Sequence, residues 1–391
     1  MNMDYKVKYD IAVIGAGIAG VAAALQAARC GKKVALVEKT ILPGGLATSG
    51  LVFIYLPLCD GNGRQVTYGI PEELLHASIQ YGPGDIPANW RNERDAPEPR
   101  RYRTIFSPAS FMLSLDELLE KSGVDLWYDT LVCDAVMNSA GDSLNGAVVQ
   151  NSSGRGVIQA DCFIDASGDC SLARKAGVNC LEEDNHLSIW ALQYDGHYPE
   201  RFGERISMFT YIDLKSEYGR FRGMSGRTLS AFVCASRKKL REYYRERQTD
   251  RKSLYPLKLP VVPQFRKIYC IEGDHILDNG ENDRDTPDSV GLLPDWRRAG
   301  PVWEIPFRTL YPRQRIRGLL AAGRCASAQN DAWEITRVIP AAAMTGQAAG
   351  GAAALMHQNH VDAWELEIGR LQELLRKWNV RLHRAECGAG I

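Results

Sequence analysis

Short apolar runs, of the kind that form strands buried on both faces of a sheet, recur along the chain. They lie in residues 10–14, 33–38, 162–166 and 318–328. Such runs lack the polar alternation of a half-exposed strand and are typical of parallel sheets. All but the second lead directly into a glycine-containing turn. We therefore predict parallel strands that deliver turns to one edge of a sheet.

Helical patterns separate these strands. Alanine-rich residues 19–30 and the small residues 340–356 predict two buried helices. Ser107 followed by Pro108 predicts the N-terminus of a third helix, which ends at Gly123. Near the C-terminus, an apolar stripe with helical spacing predicts a helix that docks on the protein itself or, in a homo-oligomer, on a second copy. Its members are Trp364, Ile368, Leu371, Leu375 and Trp378.

Residues 126–165 alternate and turn like a small antiparallel meander. Turns are predicted at Asn145-Gly146 and at Ser153-Gly154. Earlier in the chain, residues 81–103 are rich in proline and arginine and form a predicted loop. A loop of that length is either disordered or a functional lid, and we favour a lid.

Charge and cysteine content exclude several classes of protein. Lys plus Arg and Asp plus Glu each total 47, so nothing indicates a nucleic-acid partner. The densest basic segment, residues 237–252, also contains acidic side chains and predicts a solvated helix face. No apolar stretch reaches the ~18 residues that span a bilayer, and no secretory signal precedes the first strand, so we expect no membrane association and a cytoplasmic location. The 10 cysteines form no Cys-x-x-Cys pair, which argues against a metal site or a dithiol centre.

The first strand opens a dinucleotide-binding pattern. Gly15 permits a tight bend, Gly17 lets the backbone approach a pyrophosphate, and Gly20 lets helix and strand pack closely. The positive end of the helix dipole would face the phosphates. Glu38, at the end of the second strand, has the usual spacing of about twenty residues for pairing with ribose hydroxyls. A small-residue packing site would explain the glycines alone, whereas strand, helix, strand and acid in register predict dinucleotide binding.

Later segments favour FAD over NAD. The stretch 42–52 brings Gly44 and Gly45 close to a ligand and offers the hydroxyls of Thr48 and Ser49. Residues 318–328 again form a strand that ends in glycine, and a helix of small residues follows. An NAD-only domain needs none of this C-terminal apparatus. A longer cofactor, with its adenosine at the N-terminal unit and its flavin at the last helix, uses all of it.

Together these segments resemble the FAD-dependent oxidoreductase family of the two-dinucleotide-binding-domain flavoproteins. The matching pieces are the opening glycine motif, "GGLATSGLV", "YGIPEELL", "FIDASGDCSLARKAGV", "IPFRTLYP", "LLAAGRCASA" and "RVIPAAAMTGQAAGGAAAL". The resemblance implies FAD and a last helix against the flavin, with the backbone of Ala341, Ala342 and Ala343 as donors. The stretch "QNDAWEITR" departs from the family pattern, and the middle of the chain contributes no piece to this resemblance.

The predicted fold class is α/β, with a Rossmann-like FAD-binding domain that contains a parallel sheet and a β-meander. That domain is predicted to be discontinuous, with residues 1–184 and 306–391, and a mixed α+β substrate domain is inserted at 185–305. The predicted cofactor-binding residues are Gly15, Ala16, Gly17, Ile18, Ala19, Gly20, Glu38, Lys39, Gly44, Gly45, Leu46, Thr48, Val132, Ala166, Ser167, Gly168, Gly323, Arg324, Ala341, Ala342 and Ala343.

Arg337 is the predicted catalytic residue, since it could hold a substrate carboxylate or the flavin carbonyl. An ion pair with Asp331 or Glu334 is the alternative. His186, His275 and Tyr55 are candidate general bases, each more readily explained as structural, and Cys59 is a candidate for covalent flavin attachment.

The favoured function is an FAD-dependent dehydrogenase or oxidase that transfers a hydride from a small organic substrate to flavin N5. One alternative is a flavin monooxygenase that uses NAD(P)H and oxygen, although Arg324 replaces the acid that usually ends that strand. The other alternative is a non-catalytic or RNA-modifying flavoprotein. A disulfide reductase is disfavoured, because "GGLATSG" contains no cysteine.

Overall fold

The computed structural model describes residues 3–91, 101–198, 205–215 and 217–387. Its strands are β1 (Tyr5–Ile14), β2 (Val34–Val37), β3 (Ile54–Tyr55), β4 (Thr104–Ile105), β5 (Asp125–Trp127), β6 (Leu131–Met137), β7 (Leu144–Asn151), β8 (Gly154–Asp165), β9 (Cys180–Glu182), β10 (Leu187–Asp195), β11 (Ile206–Asp213), β12 (Leu254–Lys258), β13 (Tyr269–Ile271), β14 (Ser289–Pro294), β15 (Val302–Pro306) and β16 (Leu319–Ala321). Its α-helices are α1 (Ile18–Arg29), α2 (Ile70–Ser78), α3 (Pro108–Lys121), α4 (Ser171–Lys175), α5 (Gly226–Arg247), α6 (Asn330–Thr336), α7 (Ile339–Asn359) and α8 (Ile368–Lys377).

The main sheet is mixed and mostly parallel. β1 lies between β2 and β8 and pairs in parallel with both, and β5 extends the parallel part beyond β2. The end of β8 pairs in parallel with β16, although these strands are far apart in the sequence. The beginning of β8 pairs antiparallel with β7, which continues to β6. The α/β fold class with a parallel sheet and a meander is therefore confirmed.

The meander differs from the sequence prediction in one turn. Residues 138–143 connect β6 and β7, whereas Asn145 and Gly146 lie inside β7, so the predicted Asn145-Gly146 turn is wrong. A Cβ built on Gly146 would lie 2.9 Å from the Val157 side chain of the neighbouring strand. The glycine therefore serves close packing within the sheet. The turn predicted at Ser153-Gly154 is present.

α1 and α7 cross at backbone contact above the sheet. A Cβ on Gly346 would lie 2.2 Å from the carbonyl oxygen of Ala19, and one on Gly350 would lie 2.3 Å from that of Ala23. From the first contact to the second, the position moves one turn towards the C-terminus in α7 and also one turn towards the C-terminus in α1. The two helices therefore run in the same direction. Their N-termini therefore point to the same end of the sheet.

The predicted inserted region contains the three-stranded antiparallel sheet β11-β10-β12. α5 covers one face of this sheet with the buried side chains of Phe232, Ser236 and Leu240. Its basic residues, among them Arg237 and Arg241, are exposed, which confirms the prediction of a solvated helix face. β13 pairs with β9 across the predicted boundary. The domain boundaries at 184 and 305 remain our proposal.

Two further segments bear on sequence predictions. In α8, Leu371 and Leu375 are fully buried within this chain, and the homo-oligomer remains a prediction. Of the predicted lid, residues 81–91 and 101–103 form neither helix nor strand. The rest of it lies outside the described residues. Among the described helices, none alone is long and apolar enough to cross a membrane. Helices α6 and α7 meet both criteria only as a pair, and that pair is bent by 82°.

Candidate functional site

The segment between β1 and α1 and the first turn of α1 leave no room for a side chain at Gly15 or at Gly20. Gly15 has a φ of 95°, and a Cβ there would lie 2.7 Å from the carbonyl oxygen of Ala166. A Cβ on Gly20 would lie 1.7 Å from the carbonyl oxygen of Gly15. Gly17 caps α1 without a side-chain hydrogen bond. The first amides of α1 therefore remain available to an anion.

A cleft opens where the carboxyl ends of β1, β8 and β16 meet, and it has about 940 Å³ of empty space, its opening to solvent included. Most of the predicted residues line it: Gly15, Gly17, Ile18, Ala19, Glu38, Lys39, Gly44, Gly45, Leu46, Ala166, Ser167, Gly168, Gly323, Arg324, Arg337 and Ala342. Ser49, whose hydroxyl the sequence analysis offered to the ligand, also lines the cleft. The other lining residues lie outside the predicted set: Thr40, Ala47, Asp169, Met224, Val262, Pro263, Ile268 and Ile339. The position of the cleft outside the ends of parallel strands is the usual one for ligands of open α/β sheets.

The other predicted residues support the cleft from behind or lie apart from it. Ala16 donates its amide to Glu38, and the Thr48 hydroxyl donates to the carbonyl of Pro43. Val132 lies on β6. The remaining residues outside the lining are Gly20, Ala341 and Ala343. At the start of α7, the amide of Ala342 donates to the carbonyl of Val338 at 2.8 Å.

Glu38 is fixed by backbone and side-chain donors. Its Oε2 accepts the amide of Ala16 at 2.9 Å, and its Oε1 accepts the amide and the hydroxyl of Thr40 at the same distance. A carboxylate offers about four acceptor positions. Glu38 can therefore hold the glycine turn in place and still face the cleft with acceptor capacity to spare.

Asp165 organises the second glycine turn, and the sequence analysis did not single it out. It is fully buried at the end of β8, where one oxygen accepts the amides of Leu172 and Ala173. Its other oxygen accepts the hydroxyl and the amide of Ser167. Burial raises the pKa of this carboxyl above its ordinary value. The sequence signal that could have identified Asp165 is an acidic residue at the end of an apolar strand.

Cys325 holds the same turn from the opposite side. Its Sγ accepts the amides of Gly168 and Cys170 at 3.2 and 3.4 Å. Gly323, two residues earlier, donates its amide to the hydroxyl of Thr345 in α7 at 2.9 Å. Hydrogen bonds therefore connect the turns at Gly168 and Gly323 and helix α7 into one unit.

The polar atoms of the cleft suit a dinucleotide. Ser49 Oγ and Asp169 Oδ1 are buried and have no hydrogen-bond partner within the described part of the chain. Buried polar groups are normally satisfied, so such atoms at a cleft indicate the place of a ligand. Helix N-termini at α1 and α7, without side-chain caps, add backbone donors. Among the described residues, no group of acidic, histidine and cysteine side chains could hold a metal ion.

Arg337 forms the ion pair that the sequence analysis gave as its alternative role. Its Nε lies 2.7 Å from Oε2 of Glu334, whose Oε1 lies 3.0 Å from Nζ of Lys267. Burial raises the pKa of Glu334, but the charges and hydrogen bonds of Arg337 and Lys267 outweigh it and lower the pKa below its ordinary value. Asp331, the other predicted partner, pairs with Arg297. Arg337 also lines the cleft, so its catalytic role remains a prediction.

Two more arginines belong to the same region. Arg324 donates from Nη1 to the carbonyl of Phe265 at 2.8 Å. Arg266, which the sequence analysis did not single out, lies over the ring of Trp190 with its Cζ 5.6 Å from the ring centroid. Burial, assisted by the charges of Arg337 and Arg324, lowers the pKa of Arg266 to about 9.

The candidate bases have structural partners or lie outside the cleft lining. The hydroxyl of Tyr55 donates to the carbonyl of Pro71 at 2.5 Å, and burial raises its pKa. His275 Nε2 lies 2.8 Å from a carboxylate oxygen of Glu281. His186 lines a separate polar basin, and Cys59 is buried with its thiol directed to a backbone carbonyl. A base for proton abstraction stays unassigned.

Comparisons with known proteins agree with this geometry. A family model described as FAD dependent oxidoreductase matches residues 10–216 and 275–375. The thioredoxin reductase of Ureaplasma parvum serovar 3 is 38% identical over 71 residues, which cover 18% of this chain and 23% of that protein. The match therefore spans less than a quarter of that relative's length.

Two solved structures are similar over nearly the whole chain. The p-nitrophenol 4-monooxygenase PnpA from Pseudomonas putida DLL-E4 is 13% identical, with 96% of this chain and 84% of that chain covered and a TM-score of 0.50. BexE, described for oxidation during BE-7585A biosynthesis, is 13% identical, with 97% and 71% covered and a TM-score of 0.51. At this level of identity the likeness concerns the fold.

Proposed function

Since this chain belongs to the family of FAD-dependent oxidoreductases, we propose that it is a dehydrogenase or oxidase that removes a hydride from a small organic substrate. FAD is its cofactor. When bound, FAD supplies the electron-accepting chemistry, with flavin N5 as the proposed hydride acceptor. The chain itself must bind the cofactor, hold the substrate against it and exclude water.

The cofactor-binding part of the proposal rests on the glycine turns. Gly15, Gly17 and Gly168 bring backbone to the cleft, and Glu38 would accept from ribose hydroxyls. The start of α7 would stabilise negative charge that develops in the cleft during reduction. Because Ala342 donates within the helix, the amide of Ile339, which lines the cleft, is the better candidate for that contact.

One observation carries the substrate part of the proposal. The wall of the cleft opposite the glycine turns is apolar and comes from the predicted inserted region, through Met224, Val262, Pro263 and Ile268. Such a wall would exclude water from the reacting atoms, as hydride transfer requires. Arg337 at its edge would orient a polar group of the substrate.

Anaerobic reduction of the purified holoenzyme tests the proposal. Alcohols, amines, sugars and hydroxy acids are screened for loss of the visible flavin absorbance, and at least one class is expected to bleach it without NADPH. Arg337→Met should then lower kcat/KM for that substrate by about 10- to 100-fold while FAD stays bound. Arg298→Met is the matched control, because Arg298 is exposed and pairs with Asp295.

The same screen distinguishes the monooxygenase alternative. Bleaching by NADPH alone, followed by oxygen-dependent product formation, would replace the dehydrogenase assignment with that alternative. Bleaching by neither a substrate nor NADPH would contradict both.

A further inference from the structure

One guanidinium nitrogen of the half-buried Arg266 is itself buried beside the cleft. Nη1 of Arg266 is buried and has no partner within the described residues. The backbone of Arg266 is held in place, because its amide donates to Oδ1 of Asn185 at 2.7 Å. Burying an ionised group without a partner is costly, so a compensating ligand is the natural explanation.

The neighbouring charges do not supply that compensation. Arg324 and Arg337 are both positive, and both face the cleft. Glu334, the nearest acid of the group, is already shared between Arg337 and Lys267. An anion that approached Arg266 would therefore meet an excess of positive charge and a guanidinium geometry suited to a carboxylate.

An apolar pocket lies next to Phe53, a neighbour of Trp190. Phe53 contacts the Trp190 ring edge to face, with a centroid distance of 5.8 Å, and lines this pocket. Leu192, two residues along β10 and hence on the same face of its sheet, lines it together with Met208 of β11. The pocket has about 1470 Å³ of empty space, its opening to solvent included, and much of its lining is apolar or aromatic. Trp190 thus contacts both the guanidinium of Arg266 and a side chain that lines the apolar pocket.

We propose that Arg266 binds the carboxylate of the substrate, and that the substrate is an organic acid whose apolar, preferably aromatic, body occupies the pocket next to Phe53. This inference rests on the proposed function, since it names the substrate class of the same site. The ring of Trp190 would contact both the guanidinium and the apolar body.

Ligand binding to the oxidised holoenzyme tests the inference without turnover. Phenylacetate and its neutral analogue phenylacetamide are titrated, and binding is followed by perturbation of the flavin spectrum. Phenylacetate is expected to bind at least roughly tenfold more tightly, because a charge-assisted hydrogen bond is lost in the amide. Arg266→Gln should abolish that preference and leave the affinity for phenylacetamide unchanged.

Arg103→Gln is the matched control, because Arg103 also lines the apolar pocket. Loss of the acid preference in Arg103→Gln but not in Arg266→Gln would overturn the assignment. Leu192→Trp, which fills the pocket, should weaken both probes alike, and unchanged binding would remove the pocket from the proposal. Thermal unfolding identifies variants that fail to fold, and Arg266→Gln is expected to keep or raise Tm, since it removes an uncompensated charge.

Two other results have separate meanings. If Arg266→Gln releases FAD while the acid preference persists in the remaining holoenzyme, Arg266 serves the anionic cofactor and the inference is wrong. If the acid preference depends on Arg266 but no substrate reduces the flavin, the binding inference stands and the proposed function fails.

Discussion

The two walls of the cleft are built in opposite ways. On the cofactor side, backbone lines the cleft, because Gly15, Gly17 and Gly168 expose it. On the opposite side, the wall consists of side chains, with Arg266 held behind it over Trp190. Backbone contacts require small residues at fixed spacing, whereas side-chain contacts can be assembled from distant parts of the chain. We therefore propose that the first wall selects the cofactor and the second the substrate.

If this contrast is correct, adding one methyl group to the cofactor half should have the largest effect. Gly350→Ala places a Cβ 2.3 Å from the carbonyl oxygen of Ala23, so we expect a loss of about 3 kcal/mol in the free energy of unfolding. Gly369→Ala, where a Cβ meets nothing within 4 Å, should instead stabilise α8 by about 0.5 kcal/mol. Urea unfolding measures both, and equal effects would contradict the close crossing of α1 and α7.

Removal of one charge from the cofactor wall should have the next largest effect. Glu38→Gln keeps the shape of a side chain that accepts from Ala16 and Thr40 but weakens those hydrogen bonds and any contact with ribose. We expect FAD to bind about 2 kcal/mol more weakly, or roughly 30-fold. Fluorescence titration of the apoprotein with FAD measures this, with the exposed Glu367→Gln as control. An unchanged affinity would show that backbone alone selects the cofactor.

On the arginine side, Glu334→Gln should destabilise the protein in a pH-dependent manner. Glu334 and Arg337 are 24% and 20% exposed, so we expect a loss of about 1–2 kcal/mol at pH 7, less than for a fully buried pair. Because the pKa of Glu334 is lowered in the folded protein, its contribution is complete above the ordinary value of 4.5 and is lost as the pH falls through the lower folded value. The difference in the free energy of unfolding between the wild-type protein and Glu334→Gln, measured by urea unfolding, should therefore decrease at acidic pH. A constant difference down to acidic pH would exclude the ion pair as its cause.

The smallest expected effect should be the same in both regions. Ser107 caps α3 by accepting the amide of Ser110, and Ser225 caps α5 by accepting that of Thr228. Ser107→Ala and Ser225→Ala should each cost about 1 kcal/mol, because a cap is a local interaction. Differential scanning calorimetry of both variants checks this. A much larger loss at one cap would mean that its helix is the weak point of that region.

The same contrast explains which features the sequence could predict. β1, α1 and the glycine turn have local determinants, since Gly15, Gly17 and Glu38 lie within one strand-helix-strand unit. α7 was predicted from its small residues for the same reason, and its first turn from Pro340. The apolar character of residues 162–166 and 318–328 predicted two parallel strands, whereas the pairing of β16 with β8 is seen only in the structure.

Other features depend on contacts that no short stretch contains. Gly146 was assigned to a turn because Asn-Gly usually marks one, and only the position of Val157 on the next strand shows why glycine is needed there. Arg266 carries no local signal, because its environment is made by Trp190 and Arg337 from remote segments. Sequence patterns therefore describe the cofactor wall far better than the substrate wall.

The parallel crossing of α1 and α7 has a consequence for cofactor choice. Gly346 and Gly350 are in backbone contact with α1, which fixes the distance between the N-termini of the two helices. Each N-terminus can then contact a different part of one elongated molecule. FMN lacks the adenylate portion and would therefore contact only one of the two helix N-termini. We therefore expect the helix crossing to favour FAD over FMN.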